Sequence, residues 1–205
     1  MNNNSKFEFY YGAMGAGKTR EIFKVLHSMK EDGFYPIILK PRTDTKGDNS
    51  IVSRDGASID VDFLIGEEDN IYQIIAMYWS DHHLDSILVD EAEFLTSDQV
   101  KQLTMIVDKL RIDVICYGLL TDFQGKLFEG SKALIEWDAK LIEIKRQCKC
   151  GNKKAFNMRL INDIPVFEGE QVAIDGKDAK YESVCRQCYK KMEVTYRNKK
   201  LTLKK

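Results

Sequence analysis

The sequence predicts an α/β fold with a mainly parallel central sheet, followed by a small, cysteine-bearing C-terminal module. Three observations carry this expectation. Apolar runs of strand length alternate with helically spaced stretches from residue 6 to about residue 145, the layout of a layered α/β domain. A glycine-rich stretch, GAMGAGKT, joins the first apolar run to the first helical one. After residue 146 the chain turns polar and carries four of its five cysteines.

The elements follow in order. FEFYY (7–11) is the first strand, and Thr19 to Lys30 is a helix with Ile22, Val25, Leu26 and Met29 on one face. PIILK (36–40) is the second strand, and the polar RTDTKGDNS that follows reads as loop. IYQIIAMYW (71–79) reads as helix and SILVDE (86–91) as a buried strand ending in two acids. Ser97 to Leu110 has Val100, Leu103, Ile106, Val107 and Leu110 at helical spacing, and DVICYGLL (113–120) is a further buried strand. Beyond a boundary near Gln147, IPVFEGEQVAI suggests short strands.

Bulk properties narrow the function classes. A chain of 205 residues can bury one sizeable core and carry a small appendage. A net charge of −1 gives no global electrostatic reason to expect a nucleic-acid or membrane partner. No apolar run approaches the roughly 20 residues of a membrane span, and MNNNSKFEF lacks the layout of a signal peptide. A cytoplasmic location is therefore expected. The basic end, YRNKKLTLKK, reads as a solvated tail.

GAMGAGKT matches G-x-x-x-x-G-K-[ST], with Gly12, Gly17, Lys18 and Thr19 at the defining positions and Ala13, Met14, Gly15 and Ala16 between them. Glycines let backbone N–H groups wrap phosphates, and the following helix turns its positive end toward them. Lys18 would neutralise phosphate oxygens of ATP, and Thr19 would offer a hydroxyl to Mg²⁺. Asp90, ending an apolar strand, is the expected second Mg²⁺ ligand. Glu91 beside it is the candidate general base, accepting a proton from water or from a substrate hydroxyl. The acid pair alone does not separate an ATPase from a kinase.

Cys148 and Cys150 precede the C-x-x-C of Cys185 and Cys188, with residues 151–184 between the pairs. Four thiolates on two turns can close a tetrahedral zinc site. The first pair, C-x-C, is one residue tighter than the usual knuckle. Disulfides and free thiols are the alternatives, and a reducing compartment favours the metal. Cys116, inside an apolar strand, reads as a core residue.

GAMGAGKT, SILVDEAEFL, GLLTDFQGKLF, the first cysteine pair and KYESVCRQCY, in this order from about Phe7 to Tyr189, resemble the zinc-containing, P-loop (type II) thymidine kinase family. The resemblance implies a RecA-like domain over 1–146, a ribbon-like zinc domain over 147–192 with a lasso loop at about 160–182, and a flexible tail over 193–205. It implies transfer of the γ-phosphate of ATP to the 5′-hydroxyl of thymidine, with deoxyuridine as a secondary substrate, Glu91 as base and structural Zn²⁺. Met14, Leu119, Phe123 and Phe128 match positions lining the base pocket, and Val172 and Tyr181 match lasso positions. Asn157 stands where a Thr commonly contacts the base. A homotetramer inhibited by dTTP is also implied. The competing expectation is a P-loop ATPase whose zinc knuckle grips nucleic acid.

Overall fold

The computed structural model describes residues 5–42, 49–53, 56–171 and 179–202. The larger layer is a six-stranded parallel sheet. Its strands are β1 (Phe7–Tyr11), β2 (Pro36–Pro41), β5 (Phe63–Ile65), β6 (Ser86–Val89), β7 (Asp113–Gly118) and β8 (Lys140–Glu143), ordered β5-β2-β6-β7-β1-β8. A two-stranded ribbon, β3 (Ser50–Val52) and β4 (Ser58–Asp60), stands apart from it. The continuous apolar runs conceal a strict alternation. Phe9, Ile37, Leu39, Ile87, Val89, Val114 and Cys116 face one core, while Ile38, Leu88, Ile115 and Tyr117 face the other. Both faces are buried because helices cover both, which is why these strands are apolar at most positions.

Helix α1 (Lys18–Glu31) covers the second face with Ile22 and Leu26. Helices α2 (Ile71–Asp81), α3 (Ser97–Met105) and α4 (Glu129–Glu136) lie against the first. The helix expected over Ser97–Leu110 is α-helical only to Met105. It then widens into a π-turn over Ile106–Leu110 and stops at Arg111, whose φ is 60°. Ile106 and Val107 stay buried through the change, so the apolar spacing does not betray it. Cys116 is fully buried, and burial raises its thiol pKa, as suits a core residue.

The C-terminal module is a three-stranded antiparallel sheet, ordered β10 (Ile164–Val166), β9 (Phe156–Ile161) and β11 (Ala179–Val184). Tyr189 anchors its small core, stacked on Phe156 at 4.8 Å and edge-on to Phe167 at 5.1 Å. Helix α5 spans Arg186–Thr202, so most of the segment expected as a flexible tail is helical. Two features the basic composition hides favour the helix: Tyr196 lies 5.5 Å from Phe167, and Arg197 pairs with Glu193 one turn back at 2.7 Å. Among the described residues, no helix is long and apolar enough to cross a membrane.

One buried side chain ties α3 to the loop before α2. Gln99, 3% exposed, donates to the carbonyl of Gly66 at 2.7 Å, and its Oε1 completes a capping box by accepting from the Thr96 N–H at 3.2 Å. Gln99→Leu is therefore expected to lower the unfolding free energy by about 1–3 kcal/mol, because it strands buried polar groups. Urea denaturation of the two proteins measures this.

Candidate active site

The C-terminal ends of the parallel strands gather the predicted phosphate site. Residues 12–17 turn from β1 into α1. A Cβ on Gly12 would sit 2.8 Å from the Ile144 carbonyl and 2.9 Å from the Ala16 Cβ, so only glycine fits. Gly17 holds a φ of 107°, left-handed backbone that launches the helix. Gly15, Ala16, Gly17, Lys18 and Thr19 line a cavity of about 650 Å³, whose other walls include Val52, Ser53, Ile144 and Arg146. Gly12 and Ala13 lie behind the loop, on a smaller cavity of about 170 Å³ with Thr121 and Asn157. The Lys18 ammonium donates back to the Gly12 carbonyl at 3.3 Å.

Beside the loop, β6 ends and delivers three acids. Asp90 is 7% exposed, and burial, then the neighbouring Glu91, pushes its carboxyl up to about 6. Glu91 takes φ 51° and ψ 38°, a left-handed conformation costly for a side-chain-bearing residue. Glu93, not singled out from the sequence, is 4% exposed, and its Oε2 has no partner. Burial drives its carboxyl up to about 8, with Lys18 as the chief opposing influence. Lys18 is itself lowered by burial, against the pull of Glu93, Asp90 and Glu91. Lys18 and, near Asp90, Lys40 are set against three carboxyl groups, and such a cluster of oxygen donors suits a divalent cation.

The cysteines come together as the spacing requires. All five are free thiols, and the Sγ atoms of Cys148, Cys150, Cys185 and Cys188 lie within 4.8 Å of one another. The tight C-x-C pair reaches this cluster through a turn in which Gly151 N–H bonds the Cys148 carbonyl at 2.9 Å and Cys148 N–H bonds that of Asn152 at 2.7 Å. Backbone N–H groups of Cys150 and Cys185 hold the Cys148 thiol down at about 6. The thiols of Cys150 and Cys185 push Cys188 up to about 12, since crowded sulfurs cannot all ionise without a cation. Four cysteine sulfurs at this separation could hold a metal ion, and zinc is the structural ion such a set suits.

The module grips the phosphate loop from above. Met14 N–H donates to Asn157 Oδ1 at 2.7 Å, and Ser183 Oγ donates to the Met14 carbonyl at 2.5 Å. Arg146 donates to the Gly15 carbonyl, and Tyr189 to that of Phe123 at 2.6 Å. Met14 and Tyr181 share a cavity of about 550 Å³ with Arg146, Lys154 and Ser183. Phe123 and Phe128 are not among its walls. They are 1% and 6% exposed, with Phe128 edge-on to Phe94 at 5.6 Å. Half-buried Leu119 offers its carbonyl to Ser131 at 2.5 Å. Val172 lies outside the described residues. Asn157 therefore holds a backbone in this structure. No motif advertises Arg146, and the KYESVCRQCY stretch holds Ser183 without marking its bond; both act on loop carbonyls far away in sequence.

Two outcomes follow. Removing the metal by chelation, or by Cys185→Ser, should lower the melting temperature and release about one zinc per chain, read by elemental analysis. An acid whose pKa folding raises from 4.5 to about 8 binds more protons folded than unfolded between those values. Stability is therefore expected to fall as pH rises from about 5 to about 8, less steeply in Glu93→Gln, as followed by chemical denaturation at each pH.

Comparison with known proteins agrees with this geometry. The thymidine kinase family model matches residues 5–189. A thymidine kinase of Shewanella oneidensis is 43% identical over 184 residues, covering 89% of this chain and 95% of that protein. Thymidine kinases of Vibrio parahaemolyticus and Legionella pneumophila are 45% and 40% identical, over 89% and 96% of this chain and 95% and 96% of theirs. Phosphate loop, strand-end acids and cysteine module thus lie inside one continuous match, and the chain belongs to the thymidine kinase family.

Proposed function

We infer that this chain is a kinase that transfers the γ-phosphate of ATP to the 5′-hydroxyl of thymidine, giving thymidine monophosphate and ADP. The observation that carries the reading is the meeting of Lys18, Asp90 and Glu91 at one end of the sheet, under a module that clasps Met14 of the phosphate loop. Deoxyuridine, lacking one methyl, fits the same chemistry less tightly, since a methylene-sized difference is worth only about 1–3 kcal/mol. The nucleic-acid ATPase alternative is not favoured. The chain carries a net charge of −1 and no basic surplus for a phosphate backbone.

In this reading the loop N–H groups from Gly15 to Thr19 and the Lys18 ammonium bind the β- and γ-phosphates. Thr19 and Asp90 would hold Mg²⁺, which supplies charge neutralisation on the phosphate oxygens when bound. Glu91 accepts the 5′-hydroxyl proton as the new O–P bond forms and the bond from the γ-phosphorus to the β–γ bridging oxygen breaks. The left-handed backbone at Glu91 fixes where that carboxylate stands, a use of strain found at functional sites. Met14 and Tyr181, which share a cavity, would border the thymine ring, and the roles of Leu119, Phe123 and Phe128 toward the base rest on the family resemblance. Water excluded by the module cannot compete as phosphoryl acceptor. The cytoplasmic location, homotetramer and dTTP inhibition implied by the resemblance belong to the same reading.

Glu91→Gln is expected to lower kcat by about 10²–10⁴-fold while ATP binding is retained. A nucleoside panel with ATP and Mg²⁺, scored for monophosphate, tests the substrate. Zinc-loaded protein that makes no thymidine monophosphate would overturn the assignment.

A further inference from the structure

Arg159 stands out among groups the phosphoryl-transfer chemistry leaves unused. It is a cationic side chain only 6% exposed, on the middle strand of the small sheet. Its guanidinium lies over the Phe123 ring, 3.8 Å from the centroid. From there it donates to the carbonyls of Glu168 and Glu170, each at 3.2 Å. Between those carbonyls Gly169 takes φ 126°, and a Cβ there would sit 2.5 Å from Arg159 Nη2. The same strap is fastened again on its far side. Gln124 donates to the Gly169 carbonyl, and Gln171 donates to that of Leu127 at 3.2 Å. Both Gln124 and Leu127 belong to the turn after β7 that carries Phe123, closed by a bridge between Thr121 and Leu127. Across the sheet, Arg159 is register partner to Tyr181, which borders the Met14 cavity.

We propose that Arg159 is a positioning residue of the nucleoside site: stacked on Phe123 and bound to the Glu168 and Glu170 carbonyls, it locks strap 167–171 onto turn 121–128 and thereby sets thymidine affinity. This rests on the thymidine reading above. A planar guanidinium can cover a ring and serve two carbonyls at once, which a lysine ammonium cannot. Its buried charge is met by carbonyl dipoles and a ring face, so the clamp works only with the strap seated.

The test compares the intact zinc-loaded protein with Arg159→Met, Arg159→Lys and Gly169→Ala, by amide hydrogen exchange and by steady-state kinetics. Arg159→Met should speed exchange across 167–171 and raise KM for thymidine about tenfold, with KM for ATP and zinc content unchanged. Arg159→Lys should fall between, and Gly169→Ala, which leaves the arginine in place, should reproduce the effect by unseating the strap. Unchanged exchange in Arg159→Met, or KM for ATP rising in step with that for thymidine, would overturn the clamp. Exchange is read without substrate. Absence of thymidine turnover in the unsubstituted protein would therefore sink the assigned activity and the affinity half of this proposal, while leaving the clamp to be decided by exchange alone.

Discussion

The pull between a partly buried ammonium and a cluster of strand-end carboxyls is the constraint on which the loop end of this protein depends. Lys18 begins α1, leans back on the Gly12 carbonyl and sits in the field of Glu93, Asp90 and Glu91, with Lys40 adding a second positive charge near Asp90. Burial raises the carboxyl pKa of Asp90 and of Glu93, pushing both toward the neutral form. The loop is shaped so that the lysine can stay there. Gly12 admits the Ile144 carbonyl, and Gly17, in left-handed backbone, turns the chain into the helix that begins at Lys18. Electrostatics and backbone geometry at this end are one problem with one solution.

The cysteine module depends on that end and also constrains it. Its own core is small, essentially Tyr189 with Phe156, Phe167 and their neighbours. A sheet this short gains little from burial alone, which is where a metal held by four sulfurs would contribute folding free energy. Beside the Lys153–Glu143 ion pair, the module reaches main-chain atoms of the phosphate loop and of the Phe123 turn, at Met14, Thr121 and Phe123. Backbone contacts of this kind fix position while leaving the side chains free for other work.

Much of this was legible in the residues, and what escaped did so for physical reasons. Strand positions follow from apolar runs, and the phosphate loop and cysteine pairs from their spacing. The order β5-β2-β6-β7-β1-β8 leaves no such trace, because every central strand is buried on both faces and so reads alike. Phe123 and Phe128 look like pocket walls by position, yet each lies packed in protein here. Glu93 escaped because an acid after a strand reads as exposed until its neighbours are known. Ser183 and Arg159 act through main-chain carbonyls, and Asn157, expected near the base, binds a main-chain N–H and carbonyl, targets with no residue identity to pattern against. The helical end of α5 was masked by its lysines, since one tyrosine seated on Phe167 is too sparse a signal.

Met14 is held by both its N–H and its carbonyl while its side chain borders the cavity shared with Tyr181. The peptide units of the glycine-rich loop are thus the same ones that seat the cysteine module. On the proposed thymidine kinase reading, selectivity for the nucleoside and grip on the triphosphate would share one piece of main chain. On that reading, an effort to re-engineer either would move the other, and changes to base preference are better sought at Tyr181 than at Met14, Asn157 or Ser183, whose bonds fix the loop itself.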